Sequence, residues 1–362
     1  MRRSGLLGAL LTTLLLTFLM PGLWRSFFTG DHNRMDESLR PPQTRTLTLW
    51  ITGRDAYDEK LLSRLLSAYE KANPGLRIYL RRADAADLLA ETAVLPDGVF
   101  YGVGDIPLPE ECLQPLSLPA SKTNESFSAG KSCGVLYGVP LWYAPGVISL
   151  PMEWIYEEGG VTKNGGESFF GKSTPPPPED ISLAKAENLP WDQLLVPAQI
   201  YLRPGVCLMQ ALHYCPEARR EELAALWDSP CVASVPNIAR FWSYPQHLAA
   251  SRKEALLALP LTPGVSDQVR FFSLCRENAD AMGLLTFLQS PGHSTALEES
   301  GFLPVLATGE SQDGFLAEYL RQNPGTVFFP NAFAHTAEEL DSLCSDAFRR
   351  REDPVTALLR LR

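Results

Sequence analysis

Between residues 46 and 103 the chain alternates between two hydrophobic periods, and no other feature limits its fold so tightly. TLTLWI at 46–51 is a short apolar run of strand length. A loop of Thr52, Gly53, Arg54 and Asp55 follows. Leu61, Leu62, Leu65, Leu66 and Tyr69 then recur at i, i+4 and i+8, one face of a helix over 57–73. Asn73, Pro74 and Gly75 stop that helix. Residues 76–80 read as a second strand, 84–92 as a short helix and 98–103 as a third strand. Strands alternating with helices predict an α/β fold with a doubly wound, mostly parallel sheet. Ligands of such sheets bind beyond the carboxyl ends of the strands, which puts residues 52–55 and 101–105 at the mouth of a site.

The stretch GVLYGVPLWYAPGVISL at 134–150 organises the rest. Val135, Leu136, Tyr137 and Val139 read as a short strand broken by Gly138 and Pro140. Trp142 and Tyr143 follow, and 146–150 is a second, β-branched strand. That order suits a polypeptide passing between two lobes over a cleft; a buried hairpin with its aromatics in the core fits the same residues. After 150 the pattern dissolves. Residues 157–188 are rich in Gly, Ser, Lys and Pro and read as an exposed loop. Helices are expected over 199–214 and 217–227, a strand at 231–235, an aromatic cluster in a loop at 241–244, and a strand at 255–260. In the last third, Asn278 caps a helix to residue 288, and Ser290-Pro291 opens another that Gly301 ends. Thr336 with Glu339 matches a capping box.

A length of 362 residues is enough for two domains with a large core. A net charge of −10 argues against nucleic acid as a partner, since phosphate binding wants clustered Lys and Arg. The cluster Arg349, Arg350 and Arg351 reads as the cation-rich end of a helix. Arg2 and Arg3 precede an uncharged run at 5–24 that Arg25 closes, long enough to cross the roughly 30 Å hydrocarbon core. The arginines keep the N-terminus inside and send the rest outward. No small-residue cleavage triplet follows, so a signal anchor over 1–25 is favoured over a cleaved peptide, with residues 26–44 as a linker. Either way the body lies outside the cytoplasm.

Seven cysteines form an odd, scattered set without a C-x-x-C pair, which reads as buried small hydrophobes and not as a metal or redox site. Cys207 and Cys215 lie too far apart to bridge on one continuous helix. The five histidines have no metal-ligand spacing, and no nucleophile elbow or phosphate-binding glycine loop occurs. Glu157 and Glu158, adjacent in a loop, do not face each other as acid–base chemistry requires. The sequence therefore gives no sign of catalysis, of a cofactor or of a metal.

Several stretches together resemble the extracellular solute-binding proteins of ABC importers, in their sugar-binding, maltose-binding-like branch. TLTLWITGRDAYDEKLLSRLLSAYEKANPGLRIYL is similar to that family's first strand, ligand loop, helix and second strand. LPDGVFYG resembles its third strand, and GVLYGVPLWYAPGVISL its approach to the hinge. PWDQL at 190–194 and NADAMGLLTFLQSPGHSTALEESGFLPV at 278–305 resemble two later elements. The chain departs from the family at Leu150-Pro151, where Tyr-Asn is common, in its proline-rich insertion, and in having no lipid-attachment cysteine.

The resemblance implies a type II fold of two α/β lobes joined by hinge strands. One lobe would hold residues 45–147 and 259–307, the other 148–258 and 308–362. It also implies a solute, expected to be an oligosaccharide, held between the lobes of a monomer that serves ABC permease subunits. Sugars pair apolar ring faces with many hydroxyls, so their sites combine aromatic platforms with charged hydrogen-bonding groups. Tyr101, Trp142, Tyr143, Tyr201 and Trp242 are the aromatic candidates, and Arg54, Asp55 and Asp105 the polar ones. Packing is the competing role for each ring, and capping the Tyr57 helix the competing role for Asp55. A membrane-anchored sensor or accessory protein on the same fold is the alternative function.

Overall fold

The computed structural model describes residues 45–53, 58–90, 94–119, 124–152, 200–202, 239–262, 264–306, 311–324 and 327–350, with four single positions beyond. The expected anchor, linker, proline-rich loop, helix at 217–227 and strand at 231–235 lie outside them. Residues 47–72 and 78–362 form one compact unit, and residues 1–46 with 73–77 another. Of the smaller unit Arg45, Thr46 and the turn at 73–77 are described; the Arg45 N–H donates to the Gly75 carbonyl at 3.1 Å.

The strands and helices expected at the start of the body are present: β1 (Arg45–Ile51), α1 (Glu59–Ala72), β2 (Leu76–Arg82), α2 (Ala85–Leu89) and β3 (Gly98–Tyr101). After α3 (Pro109–Cys112) come the small hairpin β4 (Lys131–Ser132) and β5 (Val135–Leu136), then β6 (Val139–Tyr143) and β7 (Gly146–Pro151). Every residue of β6 and β7 is buried. That two-sided burial explains why 139–151 reads as a continuous apolar run and not an alternating one.

Besides that hairpin, the described residues build two larger sheets. The first has the order β12-β6-β11-β3-β1-β2, where β11 is Val269–Leu274 and β12 is Leu303–Pro304. β1 and β3 are parallel, and β11 is antiparallel to both β3 and β6. β1, β3 and β6 therefore point one way, while β11 and β12 run against them. The second sheet has the order β10-β7-β9-β8, with β8 (Ile200–Leu202), β9 (Ala239–Ser243) and β10 (Leu256–Pro260). Helix α4 (Tyr244–Ser251) packs on this second sheet, and α6 (Gly314–Gln322) packs on β10. On the first, α5 (Ala279–Leu288) packs on β11 and α1, with the Tyr69 and Phe287 rings 5.1 Å apart.

The chain changes sheets between Tyr143 and Gly146 and again between Pro260 and Val269; after β12 in the first sheet, α6 packs against the second. The two crossings are tied together. The Ala144 N–H donates to the Gln268 carbonyl at 2.9 Å, and the Ser266 hydroxyl to the Ala144 carbonyl at 2.7 Å.

The capping signals hold. Asn278 accepts the backbone N–H groups of Asp280 and Ala281, Thr336 and Glu339 bond reciprocally at the start of α7 (Ala337–Arg349), and Gly301 takes φ +82°. Two expectations fail. Residues 241–244 are no loop: Phe241, Trp242 and Ser243 lie in β9 and Tyr244 starts α4. Aromatics suit a strand, and the pairing of β9 with β7 across 90 residues of sequence cannot be read locally. Of the helix expected over 199–214 only residues 200–202 are described, and they form a strand paired in parallel with β9; short apolar runs do not distinguish the two.

Candidate ligand-binding site

β1 lies between β2 on one side and β3 on the other, so the order of winding reverses there, and sheets of this kind take ligands in a crevice beyond the carboxyl ends at such a point. Thr52 and Gly53 follow β1, and Gly102 to Asp105 follow β3. Gly53 takes φ +102°, and a Cβ there would come within 2.8 Å of Asp105 Oδ2. Glycine thus allows the first loop to lie against the second. Asp105, half-buried, accepts from the Thr52 hydroxyl at 3.1 Å and the Gly102 N–H at 2.7 Å, both through Oδ2.

Behind this carboxylate lies a charged network. Arg270 enters at the start of β11, which runs against β1 and β3 and so begins near their ends. Its Nε and Nη2 each donate to Asp58 at 2.8 Å, one to each carboxylate oxygen, and its Nη1 donates to the Thr52 carbonyl at 3.0 Å. The Trp142 indole N–H donates to Asp58 Oδ2 at 3.0 Å. All three side chains are buried, Trp142 to 1% exposure. A bidentate pair with its spare lone pairs satisfied is the geometry in which a buried ion pair is tolerated. The network joins the loop after β1 to β6 and β11, the strands at the two crossings.

On the second sheet, the Trp242 N–H donates to Ser149 Oγ at 2.6 Å, and Ser149 Oγ lies 2.9 Å from His247 Nδ1. Burial lowers the His247 pKa to about 4, against which Asp313 acts. Tyr244 stacks between His247 and Phe315 and donates its hydroxyl to Asp313 at 3.2 Å. The Arg240 guanidinium, 5.1 Å from the centre of the Trp242 ring, pairs with Glu254 at 2.7 Å.

The expected site residues thus fall in different places. Asp105 stands at the crevice, and Trp142 is linked to it through Asp58, Arg270 and Thr52. Tyr101 is fully buried; its hydroxyl bonds Ser273 Oγ at 2.8 Å, its ring stacks on Phe271, and burial pushes its pKa up. Tyr143, also buried with its pKa raised, meets Phe329 at 5.2 Å. Trp242 is buried against Ser149 and Arg240. Arg54 and Asp55 lie outside the described residues, as does the side chain of Tyr201, whose backbone is in β8. Sequence reasoning missed Asp58, Thr52 as a bonding group, and Arg270. The signal for Arg270 was a lone charge inside the apolar run VRFFSL. The segment at 327–333 was missed too: Ala332 accepts the Gly104 N–H at 3.0 Å, and Phe333 packs on Tyr101.

Among the described residues no three His, Cys, Asp or Glu side chains stand close enough to hold a metal, and no helix is long and apolar enough to cross a membrane. No protein-family model and no curated protein matches the chain. Solved structures do. The GacH receptor of Streptomyces glaucescens, described unliganded and with acarbose, matches at 12% identity and TM-score 0.56, over 88% of this chain and 96% of its own. The galacto-N-biose/lacto-N-biose I-binding protein of a Bifidobacterium longum ABC transporter matches at 11% identity and TM-score 0.53, over 89% and 96%. A structure from a study of xylan utilisation by Caldanaerobius polysaccharolyticus matches at 12% identity and TM-score 0.56, over 87% and 98%. With two larger sheets and a chain that passes between them after β6 and again after β10, the chain has the α/β fold of the two-lobed solute-binding proteins of ABC transporters.

Proposed function

We propose that this protein captures a small carbohydrate between two lobes, outside the cytoplasm, for an ABC importer. The observation that carries the reading is Asp105, a carboxylate held by Thr52 and Gly102 in the crevice at the reversal of winding. Only its Oδ2 is engaged in those bonds, so Oδ1 is free to accept ligand hydroxyls. Fold neighbours crystallised with acarbose and lacto-N-biose support the ligand class. The loop residues Arg54 and Asp55 would complete the first-lobe side of the site, with Tyr201 facing it from the second; Trp242, buried against Ser149 and Arg240, serves packing.

The lobes would divide near the bounds that the resemblance implies, 45–147 with 259–307 and 148–258 with 308–362; the change of sheet between β6 and β7 supports a division there, with Gly146, Val147, Leu259 and Pro260 paired in the second sheet. The uncharged run at 5–24 would hold the body at the outer membrane face.

The test is titration of the full chain, in a detergent without a sugar headgroup, with a panel of oligosaccharides while tryptophan fluorescence is followed. At least one should saturate. Asp105→Asn should weaken it by roughly 10–100-fold, the scale of a hydrogen bond to a charged group. A panel without binding, or an Asp105→Asn protein of unchanged affinity, overturns the reading.

A further inference from the structure

Arg270 does more than neutralise Asp58. Its Nε and Nη2 hold both oxygens of that carboxylate at 2.8 Å, and its Nη1 turns to the Thr52 carbonyl at 3.0 Å. Neutralising Asp58 needs only a cation, which a lysine would supply. Holding a carboxylate on one edge and a carbonyl on another needs the planar fork of a guanidinium.

The Thr52 backbone is thereby held on both sides. Its N–H donates to the Phe100 carbonyl at 2.8 Å, continuing the β1–β3 ladder, and its carbonyl accepts Nη1. A β-branched side chain has few χ1 positions once its backbone is held, so the hydroxyl is directed along with it. That hydroxyl donates to Asp105 Oδ2 at 3.1 Å from a residue only 2% exposed, which keeps water from competing for the bond. Gly53 passes between the two charged groups: a Cβ there would stand 2.8 Å from Asp105 Oδ2 and 3.8 Å from Arg270 Nη1.

We infer that Arg270 is a positioning residue of the Asp105 site: through the Thr52 carbonyl and hydroxyl it holds Oδ2, and so fixes the direction in which Oδ1 meets a ligand hydroxyl. A carboxylate fixed before binding spares the complex the cost of ordering it. The inference rests on the reading of Asp105 as the carboxylate that meets the ligand.

Two readouts on the full chain test it, one with the oligosaccharide that saturates the wild-type protein and one without any ligand. Arg270→Lys keeps a charge for Asp58 but cannot hold Thr52 at the same time. It should weaken the oligosaccharide by roughly five- to tenfold, a part of what a hydrogen bond to a charged group is worth. In an Asp105→Ala background no carboxylate is left to position, and the same substitution should change affinity by less than about twofold. A role in packing alone would cost the same in both backgrounds. Without ligand, the Gly102 amide proton reports on Asp105, because it donates to Oδ2 at 2.7 Å. Its NMR resonance in glycine-labelled protein, identified by its loss in Gly102→Ala, should move upfield in Arg270→Lys as that charge-assisted bond weakens. If Arg270→Lys does not fold, Thr52→Val decides: it removes the hydroxyl at the end of the relay and should give the same loss and the same shift. The inference is overturned by an unmoved Gly102 resonance, by unchanged affinity, or by equal losses in the two backgrounds. Should no oligosaccharide bind the wild-type protein, the functional reading falls, and the Gly102 resonance alone decides whether Arg270 positions Asp105.

Discussion

Asp58 is the residue on which the charged network turns, because it alone receives both Arg270 and Trp142. Asp58→Ala leaves the Arg270 guanidinium buried and unpaired, and should cost about 3–5 kcal/mol of stability in a urea titration. Trp142→Phe keeps most of the packing and loses one hydrogen bond to a charged acceptor, so about 1–3 kcal/mol is expected. His247 supplies a pH dependence. Its folded pKa of about 4 lies below the ordinary value of 6.5, so its contribution is complete above pH 6.5 and is lost as pH falls toward 4. Between pH 7 and pH 5 the protein should lose about 2 kcal/mol that His247→Gln does not, measured as the difference in denaturant midpoints. A slope shared by the variant would assign the acid sensitivity elsewhere.

At the scale of elements, β6 and β11 carry the burden of the fold, for they run side by side at the two crossings. Gly138, just before β6, has Tyr101 Oη so close that an added Cβ would stand 2.0 Å from it. Gly138→Ala should therefore displace Tyr101 from Ser273 and destabilise by about 1–3 kcal/mol, the usual cost of overpacking. Recovery of stability in Gly138→Ala/Tyr101→Phe would tie the cost to that oxygen. The first five strands and helices were legible because each repeats its period long enough to be recognised: five apolar positions mark α1, and Asn73 to Gly75 end it. β9 and β8 were not, because Phe241-Trp242-Ser243 and Ile200-Tyr201-Leu202 are too short to show a period and become strands only by pairing with partners far along the chain.

For the whole molecule, the crossings between the two sheets after β6 and after β10 invite bending about them. Addition of a saturating oligosaccharide should reduce the radius of gyration in small-angle scattering, as hinge closure does in proteins of this kind. An unchanged radius with full occupancy would mean that the ligand is held without closure. By itself the sequence determined the alternation of strands and helices that opens the α/β fold and the loops that follow β1 and β3, because these follow from local periodicity and turn chemistry; whether residues 134–150 cross between sheets or close a hairpin it left open. Only the tertiary structure decided what Trp142 does. An indole in an apolar strand can face a sugar or a buried carboxylate equally well, and the choice was made by Asp58 and Arg270, 212 residues apart in the chain and 2.8 Å apart in the fold.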